Sequence, residues 1–193
     1  MIKILASLSL LLVTVIWGSA FVVMKSSLDC ISPSYLLACR FTLAALALLI
    51  IFRKRISRMT ASEFRYGALA GVLLFVSYYF QTYGLKYTTA SKNAFITTLY
   101  VIIVPFLHWL ISRIRPSKYS MAAALIAVAG LALLSLEGDL TVSYGDFLTL
   151  ICSIGFALHL MCLDRYTASS DPIRLTVMQM AAAALCSWAA AVL

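Results

Sequence analysis

Charged residues are scarce in this chain of 193 residues. They make up 11% of the sequence, whereas a soluble domain has about 25%. Because 63% of the residues are hydrophobic, the apolar surface is too large to be hidden in the core of one small domain. The scarcity of charge therefore excludes an ordinary soluble protein and indicates a protein whose solvent is lipid.

The apolar residues form runs that are each long enough to cross a hydrocarbon layer of about 30 Å. None of the runs alternates between apolar and polar residues over about ten positions, as the strands of a membrane β-barrel do. Short connections of seven to thirteen residues predict that consecutive spans are antiparallel neighbours. We predict an all-α integral membrane protein with seven visible spans: Leu5–Met24, Pro33–Phe52, Tyr66–Leu85, Ala94–Ile111, Tyr119–Leu136, Phe147–Leu163 and Leu175–Leu193.

Acidic residues are especially few, and none of the seven lies inside a predicted span. The spans therefore lack a carboxylate that could carry a proton or neutralise a lipophilic cation. Arg40 is the one formal charge inside them, although an arginine at the centre of a lipid-facing helix costs about 2.5–3.5 kcal/mol. Three roles are open for it: orienting or packing its helix, contacting an anionic group of a substrate, or pairing with a residue beyond the visible spans.

Recognisable catalytic and metal-binding patterns are also lacking. The five cysteines do not have metal-ligand spacing, and no serine lies in the context of an activated nucleophile. We therefore expect no cofactor, no metal and no enzymatic activity. Two alternatives are kept: His108 and His159 could ligate haem or a metal in an electron-transfer protein, or the chain could be a membrane-embedded enzyme.

The basic residues are abundant by comparison, and they are unevenly distributed. The N-terminus and the second, fourth and sixth connections hold eleven of them, whereas the first, third and fifth connections hold three. By the positive-inside rule, the N-terminus lies in the cytoplasm. This orientation argues against a seven-helix sensory receptor. The net charge of +8 thus reflects topology and some attraction to membrane lipid, and a nucleic acid is not an expected partner.

An internal repeat is visible when the chain is shifted by 139 residues against itself. The first two spans then align with the last two without a gap, and Pro33 aligns with Pro172. A unit of five spans is odd, so the second unit enters the membrane inverted, as in many transporters. We predict a first repeat over residues 1–138 and an incomplete second repeat over 139–193.

Five segments resemble the EamA family of the drug/metabolite transporter superfamily: VTVIWGSAFVVMK, LLACRFTLAALALL, GLKYTTASKNAFITTLYVIIVPFLHWLISRIRPS, MAAALIAVAGLALLSL and YGDFLTLICSIGFALHLMCLDRY. The resemblance covers essentially the whole chain. It implies a ten-helix bundle of two inverted five-helix repeats, and a secondary carrier, often an exporter, in a bacterial inner (plasma) membrane. Compared with this ten-helix plan, the chain ends after the seventh helix. We therefore expect a fragment, a frameshifted copy or a truncated gene product that is not a working carrier by itself.

Polar side chains within membrane spans usually face the interior of the bundle. The fourth span has a polar stripe at helical spacing, which could line a pathway or act as polar glue between helices. Hydroxyls, amides and aromatics suit amino-acid-like, zwitterionic or weakly anionic solutes. The expected partners are such a small-molecule substrate and lipid, and a homodimer could cover some apolar surface. The candidate pathway residues are Thr14, Trp17, Lys25, Arg40, Tyr78, Gln81, Asn93, Thr97, Tyr100, His108 and His159.

Overall fold

The computed structural model describes residues 2–113, 115–136 and 143–193, and these residues form helices without any strand. Six apolar segments of the described part are long enough to cross a membrane, and α4 and α5 together make one of them. The apolar helix α6 follows the fourth segment, and the apolar stretch described within it covers Lys118–Gly130. The prediction of an all-α multi-pass membrane protein is thus confirmed. The helices are α1 (Ile2–Ser27), α2 (Pro33–Ile56), α3 (Ala61–Tyr87), α4 (Ala90–Thr98), α5 (Tyr100–Ser112), α6 (Lys118–Leu136), α7 (Tyr144–Thr167) and α8 (Pro172–Val192).

Local sequence signals set the beginnings of these helices. Pro33 and Pro172 occupy the first turns of α2 and α8, where the missing amide hydrogen is not needed. Helix α3 begins with a capping box in which Thr60 and Glu63 exchange hydrogen bonds between side chain and backbone. Ser143 forms the corresponding capping box at the start of α7.

Helix α3 is the centre of the bundle. It packs extensively against both α7 and α8, and α2 packs against α8. In the described part of the chain, the backbones of α1 and α2 come close at few or no positions, and the same is true of α7 and α8. The expectation that consecutive spans pack side by side is therefore wrong for these pairs. Short connections limit the distance between two helix ends, but they do not hold the full lengths of the helices together.

Glycines allow α3 to approach its two partners backbone to backbone. A Cβ atom on Gly71 would lie 2.5 Å from the carbonyl oxygen of Gln179 in α8. Nearer the other end of α3, a Cβ on Gly145 of α7 would lie 2.5 Å from the carbonyl oxygen of Gly84. Small residues at helix interfaces are how membrane helices gain close packing. These contacts bring the polar faces of α3, α7 and α8 together.

Helices α4 and α5 meet at a break within the predicted fourth span. At the break, the Leu99 amide donates to the Ile96 carbonyl oxygen three residues earlier, at 3.1 Å. Pro105 lies inside α5 and has no amide hydrogen to donate to the helix. Thr97 before the break is buried, whereas His108 after it is exposed. The polar stripe of the fourth span therefore leaves the interior of the bundle along α5.

The outer surface of the bundle is apolar, and its interior mixes apolar and polar side chains. Leu10 and Leu43 are both 69% exposed on the outer surface, as lipid contact favours. The buried positions include many hydroxyl and amide side chains, because polar groups in a membrane protein face one another. Those with at most 1% exposure are Ser77, Thr82, Asn93, Thr149, Ser153 and Ser187.

Candidate functional site

A cavity of about 460 Å³ lies in the middle of the bundle, among α1, α2, α3, α4, α5, α7 and α8. Its volume is in the range of small-molecule sites, which is about 300–1,000 Å³. Six aromatic side chains and six polar ones contribute to its wall. The aromatic residues are Trp17, Phe21, Phe41, Tyr78, Tyr100 and Phe156, and the polar residues are Arg40, Gln81, Thr97, Thr98, His159 and Gln179.

The aromatic side chains form a connected wall with Tyr78 at its centre. The Tyr78 ring lies edge-on to Phe41 at 5.4 Å and to Phe156 at 5.0 Å between ring centroids. Phe156 in turn contacts Tyr100 at 5.9 Å. Edge-to-face pairs of this kind stabilise packing beyond simple burial. The wall therefore presents both ring faces and ring edges to the cavity.

Arg40 projects from α2 into the same cavity. Its guanidinium carbon lies 4.9 Å from the centroid of the Tyr78 ring, within the range of a cation–π contact. Its Nη1 donates to the Met24 sulfur at 3.1 Å, and a thioether is a weak acceptor. Among the described residues, Arg40 makes no ion pair with a carboxylate. This cation therefore lies in the apolar layer without an acidic partner.

A hydrogen-bonded network joins α3, α4 and α7 beside the cavity. Gln81 donates its side-chain amide to the Thr97 hydroxyl at 3.1 Å. Asn93 donates to the Gln81 carbonyl oxygen at 3.1 Å and to the Thr149 hydroxyl at 2.7 Å. Gln81 and Thr97 reach the cavity, but Asn93 is fully buried behind it. Asn93 thus connects α4 to α3 and α7. Of the two roles open for the polar stripe, this residue has the one of bonding helices to each other.

On the other side of the cavity, His159 of α7 and Gln179 of α8 form a pair. The His159 Nε2 atom lies 2.9 Å from the Gln179 Oε1 atom, and both residues are buried. His159 is among the sequence candidates, whereas Gln179 is not. Gln179 is the one amide side chain in the predicted span Leu175–Leu193, and a lone amide in a membrane span is a signal for an interior position.

Comparisons with known proteins show the family of the chain. A sequence model of the EamA-like transporter family matches residues 4–136. The chain belongs to the EamA-like transporter family. An uncharacterized transporter of Archaeoglobus fulgidus is 34% identical over 177 residues, which are 92% of this chain and 54% of the relative. The resemblance seen in the sequence motifs is thereby confirmed.

Two further relatives are more distant from this EamA chain. A second uncharacterized transporter of Archaeoglobus fulgidus is 26% identical and is matched over 90% of this chain and 62% of its own length. The uncharacterized transporter YyaM of Bacillus subtilis is also 26% identical, over 84% of this chain and 57% of its own length. The chain thus spans between about half and three-fifths of the relatives it matches. No solved structure matches.

Seven of the eleven candidate residues line the cavity of the EamA chain, and the other four do not. Thr14 is exposed on α1, and its hydroxyl donates to the Leu10 carbonyl oxygen at 2.9 Å. His108 is exposed on α5, so the two histidines do not line one site. Asn93 and Lys25 serve the packing of helices. The seven that line the cavity are Trp17, Arg40, Tyr78, Gln81, Thr97, Tyr100 and His159.

Both ends of the EamA bundle are tied by polar contacts. We name the end with residues 28–32 and 88–89 the α1–α2 end, and the end with residues 57–60 and 168–171 the α2–α3 end. At the α1–α2 end, Thr88 donates to the Asp146 carboxylate at 2.5 Å. At the α2–α3 end, Arg174 binds both carboxylate oxygens of Glu63 at 3.1 and 3.2 Å. The cavity lies between these two tied ends.

Proposed function

We propose that this chain forms the solute-binding part of a secondary transporter that exports small metabolites, such as amino-acid-like solutes, across a bacterial inner membrane. The observation that carries the proposal is the central cavity, whose wall is aromatic and polar although the bundle around it is apolar outside. Sites near the middle of the membrane between helices are typical of secondary transporters. Membership of the EamA-like transporter family supports the same activity.

The two tied ends fit a mechanism of alternating access. Transport requires a cavity that opens to one side of the membrane at a time, and a few discrete contacts at each end can be broken in turn. Glu63 and Arg174 would release the α2–α3 end, and Thr88 and Asp146 would release the α1–α2 end. The charge distribution favours an N-terminus in the cytoplasm, so the α2–α3 end would face the cytoplasm.

The test uses the protein as its own cell makes it. Deletion of the gene should lower the release of at least one small metabolite into the medium, and the unchanged gene should restore that release. Thr97→Leu and Tyr100→Leu should fail to restore it at normal membrane abundance, because both changes remove polar groups from the cavity wall.

A matched control lies on the outer face of the same segment. Val101 is 57% exposed, so Val101→Leu should restore release fully. An unchanged metabolite profile after deletion would contradict the proposed function. Equal losses in Val101→Leu and Thr97→Leu would show that the segment matters for packing and not as a wall of the pathway.

A further inference from the structure

We propose that the cavity selects a flat, apolar solute that carries a single carboxylate, and that Arg40 binds this carboxylate while the aromatic wall around Tyr78 holds the apolar body. The proposal rests on the proposed function of the cavity as a solute-binding site and narrows it to one chemical class. It also assigns to Arg40 a role in substrate selection.

The other interior cations of the bundle show what is unusual about Arg40. Arg174 is paired with both carboxylate oxygens of Glu63, and Lys25 donates to three backbone carbonyl oxygens. Arg40 has five N–H donors, yet the one polar contact described for it is the Met24 sulfur. A guanidinium in a low-dielectric layer is stabilised strongly by an anion. An incoming carboxylate would provide that anion.

The cavity wall does not supply a competing anion. None of the carboxylates in residues 2–113, 115–136 and 143–193 lines the cavity. Four of the other polar side chains are engaged in pairs, since Gln81 donates to Thr97 and His159 bonds to Gln179. Thr98 donates to the Ala94 carbonyl oxygen of its own helix. Arg40 is therefore the charged group of the cavity wall that would attract or repel a charged solute. A solute with a net positive charge would meet repulsion without a compensating carboxylate in the wall, and such a solute is disfavoured.

The surroundings of Arg40 indicate the shape of the rest of the solute. The guanidinium lies over the Tyr78 ring, and this ring is continuous with Phe41 and Phe156. A carboxylate bound at Arg40 therefore places the attached group against aromatic faces and edges, which favour another ring. A cavity of about 460 Å³ accommodates one ring with a short chain. One cation also matches one negative charge, so a dianion would leave a charge unpaired.

The experiment compares three probes that differ in one functional group: 3-phenylpropionate, its neutral amide 3-phenylpropionamide, and the cation 3-phenylpropylamine. Binding to the purified protein in lipid nanodiscs is measured by equilibrium dialysis at neutral pH. The carboxylate should bind roughly 10-fold or more tightly than the amide, as a charged hydrogen bond implies, and the amine should bind most weakly. Equal affinities of the carboxylate and the amide, or no binding of any probe, would overturn the proposal.

Variants then locate the selectivity. Arg40→Gln should reduce the affinity for the carboxylate to that for the amide and leave amide binding unchanged, whereas Arg40→Lys should retain part of the preference. Arg58→Gln makes the same charge change at an exposed position of the α2–α3 end and should preserve the preference. Tyr78→Leu should weaken the carboxylate and the amide alike. A preference for the carboxylate that survives in folded Arg40→Gln would assign it to another group and overturn the role of Arg40.

The outcomes separate this inference from the proposed function. Binding of the carboxylate through Arg40, without any solute released in the cellular assay, would support the site and contradict export. Solute release that depends on Tyr100, by a protein that does not discriminate among the three probes, would support export and contradict the selection of carboxylates.

Discussion

Lys25 shows how one residue can fasten two helices of this bundle. Its Nζ atom donates to the carbonyl oxygens of Leu85 at 2.7 Å, Lys86 at 3.1 Å and Thr88 at 2.8 Å. These oxygens lie at the end of α3, where backbone carbonyls lack donors within the helix. The negative end of the helix dipole also favours a cation there. Lys25 therefore attaches α1 to the end of α3.

Lys25→Met should lower the free energy of unfolding by about 1.5–3 kcal/mol, because it removes a charged donor from otherwise unpaired carbonyl oxygens. The measurement is thermal or denaturant unfolding of the purified protein in detergent. Lys86→Met removes the same charge from an exposed side chain and should change stability much less. Equal effects of the two substitutions would show that the net charge matters, and not the three hydrogen bonds.

For single residues, some parts of the site could be predicted from the sequence. Arg40, Tyr78, Gln81 and Thr97 were candidates because polar groups in a membrane span face inward, and all four line the cavity. This rule says nothing about which partner a polar group will find. It therefore did not distinguish cavity-lining residues from Asn93, whose amide is used between helices.

Helix α3 depends on small residues where it meets α7. A Cβ on Gly145 would lie 2.5 Å from the Gly84 carbonyl oxygen and 2.8 Å from the Thr88 amide nitrogen. Both are backbone atoms, which cannot rotate away as a side chain can. Gly145→Ala should therefore separate the helices and destabilise the protein by about 1–3 kcal/mol, despite the better helix propensity of alanine.

Thermal unfolding of Gly145→Ala in detergent measures this cost, and Gly18→Ala is the matched control. A Cβ on Gly18 meets no atom within 4 Å among the described residues, so this substitution should be neutral or slightly stabilising. A melting temperature of Gly145→Ala at or above that of the unchanged protein would refute the close contact between α3 and α7.

Glu63 and Arg174 connect α3 to α8 at the α2–α3 end. The exposed fractions of their side chains are 6% and 18%, so solvent screens the pair only weakly. Loss of either partner leaves a poorly solvated charge, which costs more than the pair itself contributes. In a double-mutant cycle of Glu63→Gln and Arg174→Gln, we expect a coupling energy of about 0.5–3 kcal/mol.

The control cycle uses Arg55→Gln and Asp171→Asn at the same end. The Arg55 Nη1 and Asp171 Oδ1 atoms are 3.8 Å apart, and the Arg55 side chain is 55% exposed. The coupling energy of this pair should therefore be under about 1 kcal/mol. Both double-mutant cycles are calculated from the free energies of unfolding of the variants, measured in detergent. Additive effects of Glu63→Gln and Arg174→Gln would mean that the pair does not hold α3 to α8.

At the scale of helices, the sequence predicts where a span exists better than what it packs against. The hydrophobicity of α2 reports its contact with lipid and not the identity of its neighbour, so its pairing with α8 could not be foreseen from composition. The break at Leu99 was missed for a similar reason, because apolar residues continue through it. His108 then lies outside the cavity although it follows Thr97 at helical spacing.

The whole molecule has two ends that differ in charge. Exposed residues Ser32 and Thr89 lie at the α1–α2 end, which carries few basic residues, and exposed Ser57 lies at the α2–α3 end next to a basic cluster. Ser117 is also exposed and lies between basic residues of the fourth connection. Basic loops are retained in the cytoplasm during membrane insertion. The expected orientation therefore puts the α2–α3 end inside the cell.

Single cysteines introduced into a cysteine-free protein test this orientation in intact cells. An impermeant thiol reagent should label Ser32→Cys and Thr89→Cys from outside, and it should label Ser57→Cys and Ser117→Cys after the membrane is opened. All four positions are exposed, so protection of a cysteine reports the membrane and not burial in the protein. The reverse pattern would contradict the orientation. Labelling of all four from outside would mean that the protein inserts in both orientations, and that the eleven-to-three distribution of basic residues does not fix its topology.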